Sequence, residues 1–297
     1  MSLSDSYNKN KKFITAAVYG FCGGVKAAVS DFESACRKYG GTIYVLHELI
    51  HNNVVTRSMV DKGAVFVENI TDVPDNAVVM IGAHGVSFEV EQALYKRCTV
   101  IKSTCPRVKA LQDFASQVSK NEEMIFLCKA EHPEAISVLG CAGTENIYLI
   151  SNAAEANLLP ELKNPVLLSQ TTLSHGLVTE VECVLKKRFP NLRFPGNICD
   201  SSFRRQKAAE NLAEICDYVL VVGSSHSSNA AELVNVVKSC GTPACLIEDH
   251  TFIDFELLKR FSTIGITAGA STPDESVSGV KRRLLEAGYC DGGKMES

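Results

Sequence analysis

Short apolar runs alternate with amphipathic stretches along almost the whole chain, and this alternation constrains the fold more than any other feature. TIYVLHE, AVVMIGA, MIFLCKA, PVLLSQ, YVLVVGS and STIGITAG have the length and side chains of buried strands. ITAAVYG, TVIKS, NIYLIS and ACLIED share these features. Between them stand KAAVSDFESACRKYG, VEQALYKR, RVKALQDFASQVSK, HGLVTEVECVLKKRF and RRQKAAENLAEICD. These place apolar residues at helical spacing and charges on the other face. Strands of this kind, separated by helices, point to an α/β fold with mostly parallel sheets covered by helices.

The alternation contains a loose repeat of about 90 residues. Each copy sets a cysteine between an extended stretch and a helix: GFCGGV, KSTCPRV and GNICDSS. Each has a strand that runs into a polar cluster, IGAHGVS, CKAEHPE or VGSSHSSN, and another that leads to histidine or hydroxyl groups, HELIHN, SQTTLS or TAGAST. Residue identity between copies is low, so the repeat is one of architecture. The expected organisation is a disordered lead-in at 1–12, α/β units at 13–104, 105–197 and 198–289, and a tail at 290–297. Parallel sheets bind ligands outside the carboxyl ends of their strands. Three units facing one another would bring Cys22, Cys105 and Cys199 to one central cavity.

Composition narrows the setting. A formal net charge of −4 over 297 residues gives no reason to expect nucleic acid or an anionic membrane as partner. No apolar run approaches the roughly 20 residues of a membrane span, and the N-terminus has no apolar signal segment. The expected location is the cytoplasm. Twelve cysteines without a CxxC pair argue against a disulfide scaffold. Most are expected as small core hydrophobes, among them Cys36, Cys183, Cys216, Cys240 and Cys290 in or beside helical patterns.

Cys22, Cys105 and Cys199 call for a different account. GFCGGV lacks the spacing of a dinucleotide-binding glycine loop. A nucleophile at a helix N-terminus would explain one such cysteine but not the recurrence of its context. Three thiolates suit zinc or an iron–sulfur cluster. A structural zinc would want a fourth ligand at close paired spacing, which the sequence does not offer. A cluster held by three cysteines would leave one iron open to substrate. His51, His84 and His132 follow apolar runs, as do Ser227, Ser228, Asn229 and Ser271. Singly each is an ordinary structural residue; converging, they would bind an anion such as diphosphate through directed hydrogen bonds. Glu134 is the one carboxylate among these motifs, and burial beside an anion would make it a proton donor.

In this order, GFCGGV, YVLHELIHNNVV, GAHGVS, STCPRV, EHPE, SQTTLS, RFP, NICDSSFRRQ, VVGSSHSSNAAEL and TAGASTPD resemble the 4-hydroxy-3-methylbut-2-enyl diphosphate (HMBPP) reductase family, also called IspH or LytB. The likeness covers about positions 19 to 288. It implies a trefoil of three α/β units around a 4Fe–4S cluster held by Cys22, Cys105 and Cys199. It further implies His51, His84, Ser227, Asn229 and Ser271 as diphosphate binders with Ser228 beside them. His132 and Glu134 fall in its HPE motif, which handles protons near the substrate hydroxyl, and Thr171 orders a water or hydroxyl there. The implied reaction is a two-electron reductive dehydration to isopentenyl and dimethylallyl diphosphate, with ferredoxin or flavodoxin as electron donor.

The sequence departs from the family around these motifs. Val18-Tyr19 replaces Pro-Arg or Pro-Lys, Ala27 an arginine, and Cys128-Lys129-Ala130-Glu131 a glycine- and histidine-rich lead. Ala135-Ile136-Ser137 replaces VEG, Asp200 an aromatic, and Phe203-Arg204 small polar residues. Two other readings therefore stand beside the first: a diverged paralogue acting on another small anionic unsaturated compound, and a non-catalytic iron–sulfur sensor or zinc protein. The last lacks a basic patch or effector helix as an output.

Overall fold

A computed structural model describes residues 11–196 and 199–296. From the N-terminus come β1 (Lys12–Thr15), α1 (Gly23–Tyr39), β2 (Ile43–Leu46), α2 (Asn53–Asp61), β3 (Ala64–Val67), β4 (Val78–Ile81), α3 (Phe88–Tyr95) and β5 (Thr99–Lys102). Then follow α4 (Pro106–Gln117), β6 (Glu123–Leu127), α5 (Pro133–Leu139), β7 (Ile147–Ile150), α6 (Ala153–Leu158), β8 (Pro165–Ser169) and α7 (His175–Arg188). The chain ends with α8 (Asp200–Ile215), β9 (Tyr218–Val222), α9 (Ser228–Ser239), β10 (Ala244–Ile247), α10 (Phe255–Leu258), β11 (Thr263–Ala268), α11 (Asp274–Glu286) and β12 (Cys290–Lys294).

Among the described residues these strands form three sheets, ordered β3-β2-β4-β5, β7-β6-β8 and β10-β9-β11-β1-β12, and every strand pair is parallel. The parallel α/β class expected from the alternation is what the chain adopts. Why the strands are apolar throughout is clear at β9: Tyr218, Leu220 and Val222 pack into one core, Val219 and Val221 into another on the opposite face. Strand β6 divides the same way, with Ile125 and Leu127 on one side and Met124 and Phe126 on the other. Helix α1 buries Val25, Ala28, Phe32 and Ala35, an i, i+3, i+7 stripe, and leaves its charges outside.

The sheets share one plan. In each, the first strand of the copy is central, the second lies on one side and the third on the other. A fourth extended segment flanks that third strand and leads to a cysteine. In the first sheet this is β5 beside β4; in the second it is one parallel bridge, Arg193 to Val166 beside β8. In the third it is β1 beside β11. Strand β1 was expected to open the unit at 13–104. It pairs instead with β11, because a parallel strand can be supplied from any distance along the chain. The expected tail at 290–297 likewise begins as a strand, β12, on the far side of β1.

By packing, the described residues of Met1–Cys22, His51–Asn53 and Asp200–Ser297 make one compact unit, and those of Gly23–Ile50 and Val54–Cys199 a second. Asn197 and Ile198 of the GNICDSS motif lie outside the described residues.

Candidate active site

In the first compact unit, Cys22 stands between β1 and α1 and is half-buried. Its N–H donates to the carbonyl of Ala270, the second residue past β11, at 3.0 Å. The turn before it needs Gly20, which has φ +71°; a Cβ there would also meet Asp274 and the Thr272 carbonyl at 3.1 and 3.3 Å. Arg205, only 3% exposed, reaches from α8 to the Gly20 carbonyl through Nε at 3.2 Å and Nη2 at 2.6 Å, and to the Ser201 carbonyl through Nη1 at 2.7 Å.

Buried polar groups gather around the same strand end. Ser227 caps α9 by accepting the Ala230 N–H, and Ser228 opens that helix. The Ser271 hydroxyl donates to the His51 carbonyl at 3.0 Å and lies 3.4 Å from the Ser227 hydroxyl. Asn229 Oδ1 accepts the Ala270 N–H at 2.9 Å, which fixes the amide so that its Nδ2 points to Ser202 Oγ, 3.5 Å away. Within this unit the structure thus brings together Ser227, Asn229, Ser271 and the His51 main chain, and it hangs Cys22 from the residue that Asn229 holds.

In the second unit, Cys105 is the N-cap of α4, with Pro106 at the first helical position, where its missing N–H has no intrahelical partner to lose. The Cys105 N–H donates to the carbonyl of Ala83, the second residue past β4, at 2.9 Å. The next carbonyl, of His84, accepts the Ser137 hydroxyl at 2.6 Å, and that of Val86 accepts Gln112 Nε2 at 3.1 Å. Helices α4 and α5 thereby clamp the loop that bears His84. Glycine is required in it: Gly85 has φ +70°, and a Cβ there would lie 2.6 Å from Gln112 Nε2.

The His84 and His132 rings meet edge to face, with centroids 5.3 Å apart. His132 caps α5, its Nδ1 accepting the Glu134 N–H at 3.2 Å, so a neutral ring carries its proton on Nε2. Glu134 is 1% exposed. Its Oε1 accepts the Thr171 N–H at 2.6 Å and its Oε2 the Thr171 hydroxyl at 2.8 Å. Burial pushes this carboxyl up to about 7 against the pull of both Thr171 donors, which favour the anion. The thiol of Cys128, buried and near the Glu134 charge, is pushed up to about 12. Thr171 is also the second residue past its strand, β8, and its carbonyl accepts the Cys199 N–H at 3.3 Å.

One geometry therefore recurs at all three cysteines. Each main-chain N–H donates to the second residue past the strand that neighbours the central one. The architectural repeat seen in the sequence is present here as a hydrogen bond. Sequence reasoning missed Arg205, Gln112 and Ser137, which hold the loops without belonging to a polar cluster. The only signals were the second arginine of NICDSSFRRQ and the AIS that follows HPE. The cysteines expected in the core meet that expectation only in part. Cys128 and Cys216 are buried, but Cys183, Cys240 and Cys290 are exposed and Cys36 is half-buried.

A sequence model of the LytB protein family matches residues 13–285. The chain belongs to the LytB family. It is similar to the 4-hydroxy-3-methylbut-2-enyl diphosphate reductase of Actinobacillus succinogenes, at 39% identity over 93% of this chain and 91% of that one. It is similar in structure to the E-1-hydroxy-2-methyl-but-2-enyl-4-diphosphate reductase from Plasmodium falciparum, with a TM-score of 0.92, 29% identity, and 97% and 93% of the two chains covered. A solved (E)-4-hydroxy-3-methyl-but-2-enyl diphosphate reductase, described as the terminal enzyme of the non-mevalonate pathway, aligns at a TM-score of 0.67. It shares 28% identity over 93% of this chain and 99% of its own. Membership of the LytB family rests on nearly the whole chain, and the departures around HPE and Cys22 lie inside the matched span. Among the described residues no helix is long and apolar enough to cross a membrane.

Proposed function

We propose that this chain reduces HMBPP to isopentenyl and dimethylallyl diphosphate, releasing the allylic hydroxyl as water at the expense of two electrons and two protons. The observation that carries this reading is the 39% identity to a named reductase across 93% of the chain. Cys22, Cys105 and Cys199 are the proposed holders of a 4Fe–4S cluster. Their chemistry fits: three half-buried thiols, each beginning a helix and each with its main chain pinned by a hydrogen bond. Pinned ligands present sulfur without first having to be ordered. When bound, such a cluster would supply the electrons and an open iron acting as a Lewis acid.

The protein's own residues do the rest. His51, His84, Ser227, Ser228, Asn229 and Ser271 are assigned to the diphosphate, as donors of directed hydrogen bonds rather than as formal charges. A neutral His132 has its Nε2–H to donate, because Nδ1 accepts the Glu134 N–H. Glu134, with a carboxyl near 7, both holds and releases a proton at working pH. The Thr171 hydroxyl donates to Oε2 of the ionised carboxyl; with Glu134 protonated that bond reverses, and the hydroxyl takes the acid's proton as it gives its own to the leaving oxygen. The electron donor would be ferredoxin or flavodoxin and the location the cytoplasm. Growth of a strain that lacks its own HMBPP reductase tests the reading: expression of this chain should restore it. Failure despite soluble, cluster-loaded protein would instead favour a different small anionic substrate.

A further inference from the structure

We propose that Asn229 is a positioning residue for Cys22, a role carried by its Oδ1 and separable from the binding role of its Nδ2. The inference rests on the reading that Cys22 holds a metal group. Asn229 is 4% exposed, and its Oδ1 accepts the Ala270 N–H at 2.9 Å. The carbonyl of the same Ala270 accepts the Cys22 N–H at 3.0 Å. Both main-chain groups of one residue are thus engaged, one by the side chain and one by the cysteine. With Oδ1 removed, a half-buried N–H loses its partner, and the segment from which Cys22 hangs can shift to find another.

The second compact unit holds the same device. Glu134 is the seventh residue past β6, as Asn229 is the seventh past β9. Glu134 Oε1 accepts the N–H of Thr171, and the Thr171 carbonyl accepts the Cys199 N–H. A carboxyl and an amide thus occupy equivalent positions and make the same bond to the same main-chain site, so the shared part of their work is acceptance of that N–H. At Cys105 the acceptor is main chain: the Ala83 N–H donates to the Leu49 carbonyl at 3.1 Å. That approach is close enough that a Cβ on Gly82 would lie 2.8 Å from the Glu48 carbonyl. An acceptor behind the docking residue is present in all three copies; only its chemistry differs.

The two roles of Asn229 divide by substitution. Asn229→Asp keeps the acceptor and loses the donor; Asn229→Ala loses both. Two readouts apply: hydrogen exchange at Ala270 and Cys22 in the metal-free protein, and the rate of iron release to a chelator from anaerobically reconstituted protein. Asn229→Asp should stay within about twofold of wild type in both, while Asn229→Ala should speed both by about tenfold, as loss of a supporting hydrogen bond does at metal sites. If Asn229→Ala does not fold, Asn229→Leu makes the same comparison at nearly native volume. Wild-type rates in the apolar variant would overturn the proposal, as would an Asn229→Asp protein that releases iron as fast as it does. A wild-type chain that takes up no iron would defeat the cluster reading instead, and the exchange rates would still decide whether Oδ1 holds the Cys22 segment.

Discussion

Glu134, the proposed proton donor, is the residue whose surroundings the sequence describes least. A carboxylate after His-Pro reads equally well as a helix cap, but the cap is made by His132, and both Glu134 oxygens turn to Thr171. HPE and QTTLS named the pair through resemblance. The pairing across 37 positions and the 1% exposure that raises the carboxyl are tertiary facts and left no mark on the local sequence. The folded value, about 7, lies above the ordinary 4.5, so the contribution of Glu134 to stability is full below about pH 4.5 and is lost as pH rises through 7. Relative to Glu134→Gln, the metal-free wild type should lose on the order of 3 kcal/mol between pH 4.5 and 8. Urea melts across that range check this, and parallel curves for the two proteins would speak against the buried acid. In turnover, Glu134→Gln should keep the cluster and lose roughly 100- to 10,000-fold in rate as a missing general acid.

Among the elements, the central strands were legible because burial on both faces demands unbroken apolar runs. Strand β12, CDGGK, was not, since it is exposed at every position and is held by main-chain pairing to β1. The exposed Cys183 shows a related limit: it lies two residues from Val181 on α7, on the face turned from the core, and composition alone carries no phase. Short helices such as α5, only seven residues long, escape periodicity for want of turns. The contact between α8 and the Cys22 approach was also hidden, because it joins positions 205 and 20. Arg205 grips the Gly20 carbonyl with two nitrogens, a fork that lysine cannot copy. Arg205→Lys should therefore lower stability by about 1–3 kcal/mol and lose iron at least several-fold faster than wild type. A melting curve and an iron-release assay measure the two effects, and native values in both would show that the fork is dispensable.

For the molecule as a whole, the threefold repeat was readable as architecture, and the structure adds its physical content: three parallel sheets of one plan and one hydrogen bond repeated at three cysteines. What the sequence could not reveal is that the third sheet takes the strand that leads to its cysteine from the N-terminal part of the chain. An apolar run specifies that it will be buried in a sheet, not which strand it will join. The proposed iron–sulfur reductase rests on membership of the LytB family across residues 13–285. The most direct test is anaerobic reconstitution followed by incubation with HMBPP and a reduced viologen dye, with both dye oxidation and products measured. The account predicts isopentenyl and dimethylallyl diphosphate together, with two electrons drawn from the dye for each molecule formed. A full complement of cluster with neither diphosphate produced would contradict it.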